Sequence, residues 1–110
     1  DFLRMGLLFA RKGRGVGNRK VGSSSFFNKT IGKVGPKYMM LSKNKYLYYS
    51  NSTMVSENMI GHSGYGGQFL ATNFKTGKVA AFFSVLETKS ATKESYKVDM
   101  INMLIDLVNN

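Results

Sequence analysis

The segment Val79–Leu86 reads Val-Ala-Ala-Phe-Phe-Ser-Val-Leu, and it constrains the fold more than any other stretch of the chain. Side chains of a strand alternate between the two faces of its sheet. A strand that is apolar at odd and even positions alike needs cover on both faces, so this one is expected to be central in its sheet. Phe69–Phe74 precedes it across Lys75-Thr76-Gly77-Lys78, and the two make the clearest hairpin of the chain. Thr92–Val108 reads as a helix, with Val98, Ile101, Leu104, Ile105 and Val108 on one stripe and Ser90 or Thr92 as its cap. A strand pair followed by an amphipathic helix implies helix packed on sheet, an α+β arrangement.

Upstream, Tyr38–Leu41 and Tyr46–Ser50 flank the polar turn Ser42–Lys45 and read as a second hairpin. Residues 51–61 are polar and read as a loop. Asp1–Lys12 reads as a short amphipathic helix, with Phe2, Met5, Leu8 and Phe9 at three- and four-residue steps. Asp1 suits the N-cap, Arg11 and Lys12 suit the negative end of the helix dipole, and Gly13 is the expected stop. A secretory signal does not fit, because the apolar centre is too short and no small-residue cleavage site follows. Gly13, Gly15 and Gly17 alternate, but the third glycine of a dinucleotide fingerprint and the Gly-Lys-Ser/Thr of a phosphate loop are missing. Residues 13–36 therefore read as loop. Within them Phe26 and Phe27 anchor a short helix or turn, and Pro36 ends the region.

Charge divides the chain sharply. Residues 1–46 hold eleven Lys and Arg and one acid, Asp1, whereas residues 47–110 hold five Lys and five acids. The whole formal net charge of +10 thus belongs to the first part. Such a field attracts phosphates, nucleic acid and anionic lipid, and residues 4–45 are a candidate surface for an anionic partner. The densest cluster, Arg11 to Lys20, contains no aromatic residue to stack on a base and lacks helical spacing for a major-groove reader. A solvated basic surface is the plain alternative.

The chain has no cysteine and one histidine, His62. A disulfide framework, a thiol nucleophile, a cysteine metal site and a multi-histidine metal site are all excluded, and no cofactor is expected. No apolar run is long enough to span a bilayer as a helix. Asn28-Lys29-Thr30 and Asn51-Ser52-Thr53 fit the glycosylation acceptor pattern, which matters only in a secreted eukaryotic protein.

Gly61-His62-Ser63-Gly64-Tyr65-Gly66-Gly67-Gln68 leads into a strand, a turn after Asn73-Phe74 and the apolar strand. This order resembles the C-terminal part of the β-lactamase-like serine hydrolases, which include class C β-lactamases, penicillin-binding D-alanyl-D-alanine peptidases and related esterases. The opening Asp1-Phe2-Leu3-Arg4-Met5-Gly6-Leu7-Leu8 is also similar to a helix of that family. The resemblance covers most of the chain, and residues 30–60 match poorly. It implies a single partial domain of the β-lactamase/transpeptidase-like fold. Residues 1–36 would form a basic helix and loop region. Residues 37–110 would carry the strands, the His-x-Gly motif and the C-terminal helix. It further implies cleavage of a small amide or ester substrate through an acyl-serine intermediate. His62 would be the polar head of the motif, Ser63 would lie beside it on the substrate edge, Gly64 would permit close substrate approach, and the Tyr65 N–H would donate to the oxyanion. Relatives of this kind are often exported.

Four further matches, to three motifs of the family, read as coincidental. Lys75-Thr76-Gly77 spells the family's Lys-Thr-Gly but sits at a hairpin turn. Ser42-Lys43-Asn44-Lys45 and Ser90-Ala91-Thr92-Lys93 spell Ser-x-x-Lys, and Tyr49-Ser50-Asn51 spells Tyr-x-Asn. A compact site of Ser42, Lys45 and Tyr49 is the only catalytic set the chain offers, and it is unconvincing. Lys45 in a polar turn would keep an ordinary pKa and could not serve as a base near neutral pH. The expected chain is a C-terminal hydrolase segment, inactive alone, whose partner is the remainder of the parent polypeptide. The alternatives are a small basic module for nucleic acid or anionic surfaces, and a non-catalytic relative of the hydrolase fold.

Overall fold

The computed structural model describes residues 2–33, 35–64, 67–83 and 94–110. Helix α1 spans Phe2–Ala10 and α2 spans Ser24–Ile31. Six strands follow: β1 Lys37–Ser42, β2 Lys45–Ser50, β3 Thr53–Ser56, β4 Met59–Ser63, β5 Gln68–Asn73 and β6 Val79–Phe83. Helix α3, Glu94–Asn109, closes the chain. The strands form one antiparallel meander in sequence order, β1 to β6. The fold is α+β, with helices at its N-terminal and C-terminal ends.

Strand alternation gives the sheet two apolar faces. On one face Leu47, Met54, Met59, Phe69 and Ala71 pack against Ile101, Leu104, Ile105 and Val108 of α3, the stripe expected from the sequence. Helix α3 touches β1 as well as β5 and β6, so the sheet curves around it. Asn102 Nδ2 donates to the Leu41 carbonyl at 3.1 Å, which ties α3 to β1. On the other face Val55 and Ile60 pack against Phe27 of α2, with Phe9 and Ile31 beside them. Helix α1 lies across β5 and β6 on this face.

Gly6 sets the distance between α1 and the sheet. A Cβ there would run into Val79 Cγ1 and press on Leu70 and Thr72. The Thr72 hydroxyl donates to the Gly6 carbonyl at 3.2 Å. The helix therefore meets the sheet through a residue without a side chain, and Met5, expected on the buried stripe, is 38% exposed. Periodicity counts apolar side chains and cannot register a contact made by backbone. The helix ends in a Schellman arrangement. Lys12 has φ 54°, its N–H donates to the Phe9 carbonyl at 3.1 Å, and the Gly13 N–H donates to the Leu8 carbonyl at 2.9 Å. Lys12 thus takes the left-handed position and Gly13 follows it.

The expected hairpins β1–β2 and β5–β6 form, but three other expectations are corrected. Residues 51–61 are not a loop: β3, the turn Glu57-Asn58 and the start of β4 occupy them. The turn Asn51-Ser52 has φ 47° and 62°, the double positive φ of a tight hairpin turn. Two hydroxyls at the start of this stretch are buried and bonded. Thr53 Oγ1 donates to the Ser50 carbonyl at 2.6 Å, and Ser50 Oγ donates to the Thr30 carbonyl at 2.8 Å. Second, among the described residues β6 is the last strand of the sheet, not a central one. Helices α1 and α3 lie against it and half-bury Val79–Phe82, so two-faced apolarity reports layers above and below rather than strand order. Third, Phe27 anchors α2 but Phe26 is 58% exposed. Ser84–Leu86, the Asp1 cap, and the Ser90 and Thr92 caps lie outside the described residues.

Asn73 fixes the β5–β6 turn. Its Oδ1 accepts from the backbone N–H of Lys75 at 3.0 Å and of Thr76 at 3.1 Å. Its Nδ2 donates to Asn109 Oδ1 at 2.9 Å and to the Val108 carbonyl at 3.4 Å. Asn73→Ala is expected to cost about 2–3 kcal/mol, because it removes buried partners on both sides. Urea denaturation measures this, and a loss below about 0.5 kcal/mol would contradict the account. The Ser56 hydroxyl, by contrast, is buried without a hydrogen-bond partner. Ser56→Ala is therefore expected to leave stability unchanged or raise it by about 1 kcal/mol in the same assay.

Candidate functional site

The motif residues sit where β4 ends and turns into β5. Gly61 must be glycine: a Cβ there would collide with the Leu70 carbonyl on the neighbouring strand. This close approach holds β4 against β5, with His62 opposite Leu70 and Ser63 opposite Phe69. Gly64 N–H then donates to the Gln68 carbonyl at 2.6 Å, and Gly67 N–H donates to the Gly64 carbonyl at 3.3 Å. The chain thus reverses tightly just beyond the motif. The Gln68 side chain occupies the space where a Gly64 Cβ would lie, so that face of Gly64 is already filled. Tyr65, expected as the oxyanion donor, lies outside the described residues.

Alternation separates His62 from Ser63. His62 shares its face with Ile60 and points toward α1, where its ring stacks on Phe9 at 5.9 Å between centroids and 26° between planes. Ser63 lies on the α3 side, in a cavity of about 270 Å³ with Tyr38, Tyr49, Met54 and Lys97. There Lys97 Nζ donates to the Tyr38 hydroxyl at 3.0 Å and stands 4.7 Å from the centre of its ring. A second cleft, of about 470 Å³, wraps the strand end and is lined by Met5, His62, Ser63, Gly64, Gln68 and Phe83. His62, Ser63 and Gly64 are therefore brought together around one opening.

The compact set does not join them. Ser42 and Lys45 close the β1–β2 turn, and Lys45 Nζ lies 3.7 Å from Glu57 Oε2, at the β3–β4 turn. That turn precedes β4, whereas His62 and Ser63 end it. Three residues of strand separate Met59 from His62, about 10 Å at the usual rise. Tyr49 faces the α3 side and packs on Tyr38. Ser42, Lys45 and His62 therefore do not converge on one reacting atom. Lys75-Thr76-Gly77 lies in the β5–β6 turn, with Gly77 at φ 79°. Phe9, Phe83, Tyr38 and Lys97 adjoin the motif, and sequence reasoning gives none of them a place in the site. Phe9 follows helical periodicity, whereas Lys97 and Tyr38 are 59 residues apart and carry no local signal.

Among the described residues, no group of three or more His, Asp or Glu side chains could hold a metal ion. No helix among them is long and apolar enough to cross a membrane. Comparison with family models, with curated proteins and with solved structures finds no match.

Burial beneath α1 lowers the His62 pKa from its ordinary 6.5, because removing water penalises the charged imidazolium. A base with a lowered folded-state pKa binds its proton better when the chain is unfolded. Its effect on stability is absent well above pH 6.5 and destabilises the fold as pH falls through that value. The loss levels off once the folded-state imidazole itself takes a proton. Urea midpoints are expected to drop between about pH 7.5 and about pH 5.5, and His62→Phe is expected to flatten that drop. An equal drop in the variant would contradict burial of His62.

Proposed function

We propose that this chain supplies the substrate-facing strand end of a β-lactamase-like serine hydrolase, whose Ser-x-x-Lys lies on a further part of the polypeptide. The observation that carries the reading is the position of the His-x-Gly motif. His62 and Ser63 end the inner strand β4, Gly64 follows it, and the three line a cleft of about 470 Å³. A strand end held by neighbours on both sides is a rigid support for aligning a substrate carbonyl. In this reading the nucleophile and base come from outside the 110 residues, and the strand end holds a small amide or ester. Burial favours the neutral imidazole of His62, which can donate or accept a hydrogen bond.

The isolated chain is expected to keep its intact mass after incubation with a fluorophosphonate probe, and to turn over neither a β-lactam nor an aryl ester. Fusion behind an N-terminal part that carries Ser-x-x-Lys is expected to restore hydrolysis, and His62→Ala is expected to lower it by about tenfold or more. A single-site adduct on the isolated chain, removed by Ser42→Ala, would overturn the reading.

A further inference from the structure

We infer that the layer formed by α1, residues 11–22 and α2 is a docking surface for an anionic phospholipid membrane. The inference goes beyond the hydrolase reading and does not rest on it. The layer lies on the sheet face opposite α3. No acidic residue occurs between positions 2 and 56, while Asp99 and Asp106 lie on α3. From Phe2 to Ile31 the layer therefore carries basic side chains and no acid.

The basic residues are displayed by a closed loop. The Gly13 carbonyl accepts from the N–H groups of both Val21 and Gly22, at 3.0 and 2.9 Å. Gly15 N–H donates to the Arg19 carbonyl at 2.7 Å, and Arg14 pairs with Lys20 in an antiparallel bridge. The loop is thus held by its own backbone while Arg11, Lys12, Arg14, Arg19 and Lys20 stand exposed.

Charge alone would suit a nucleic acid as well as a membrane. Exposed apolar side chains in the same layer decide between them. Leu3 is 51% exposed, Leu7 40%, Val21 66% and Phe26 58%. On α1, Leu3, Leu7, Arg11 and Arg4 fall within an arc of about 100° at 3.6 residues per turn. That arc is turned away from the Phe9 side of the helix. Three of these four apolar side chains are aliphatic and cannot stack on bases. Leu3 and Leu7 interleaved with Arg4 and Arg11 along one side of α1 and just past its end match a bilayer interface, with methyls among the acyl chains and cations at anionic headgroups.

The test is sedimentation of the chain with vesicles of phosphatidylcholine alone and of phosphatidylcholine with phosphatidylglycerol. Binding is expected only to the anionic vesicles, weakening as salt rises. Each basic residue removed from Arg14, Arg19 and Lys20 is expected to lower partitioning about fivefold. Leu3→Ser with Leu7→Ser alters only exposed positions. It is expected to lower anionic-vesicle binding at least about tenfold while leaving the circular dichroism spectrum unchanged. Absence of binding at low salt would overturn the proposal. So would equal binding by the Leu3→Ser/Leu7→Ser protein. A single-stranded oligonucleotide that binds at low salt and is unaffected by that double substitution would assign the surface to nucleic acid instead.

Discussion

Burial of β5 on both faces is the constraint on which the rest of the structure depends. Phe69 and Ala71 face α3, while Leu70 and Thr72 lie beneath Gly6 of α1. Phe69 and Leu70 are almost wholly removed from water, each worth about 2–3 kcal/mol by area. Neither helix alone could cover this strand. The approach of α1 is possible only because Gly6 carries no side chain, and it draws Phe9 over the end of β4. The stacking of Phe9 on His62, and the burial that favours the neutral imidazole, follow from that contact.

Much of this is legible in the sequence, and the failures have physical causes. The α3 stripe is readable because a helix that packs on one side repeats at three and four residues. The hairpins β1–β2 and β5–β6 are readable because aromatic and branched runs flank polar turns. The hairpin β3–β4 is hidden, because its strands are short and a buried hydroxyl such as that of Thr53 looks like a loop residue until its partner is known. The edge position of β6 is hidden too, since the sequence records that a strand is covered but not by what. In the candidate site, His62, Ser63 and Gly64 are legible as a motif. Their flanking residues Phe9, Phe83, Tyr38 and Lys97 are not, because they arrive through tertiary packing from four separate elements.

The two halves of the charge distribution match two halves of the architecture. The neutral part builds most of the sheet and α3, where apolar packing dominates and the few charges are spread out. The basic part builds β1 and the layer on the opposite face, where α1 and α2 each bury a narrow strip, Gly6 with Phe9 and Phe27 with Thr30. A layer held by so narrow a contact leaves most of its side chains free of packing duty. The motif at the end of β4 lies at the seam between this layer and the sheet, within reach of Met5 from α1 and Phe83 from β6.

The central claim is that α1 lies on β5 through Gly6 and thereby covers His62. Proton–proton contacts by nuclear Overhauser spectroscopy test it most directly. The account requires contacts between the ring protons of His62 and Phe9, and between the Gly6 α-protons and the Val79 methyls. A folded chain whose His62 ring shows contacts only to strand residues, with Gly6 remote from Val79, would contradict it.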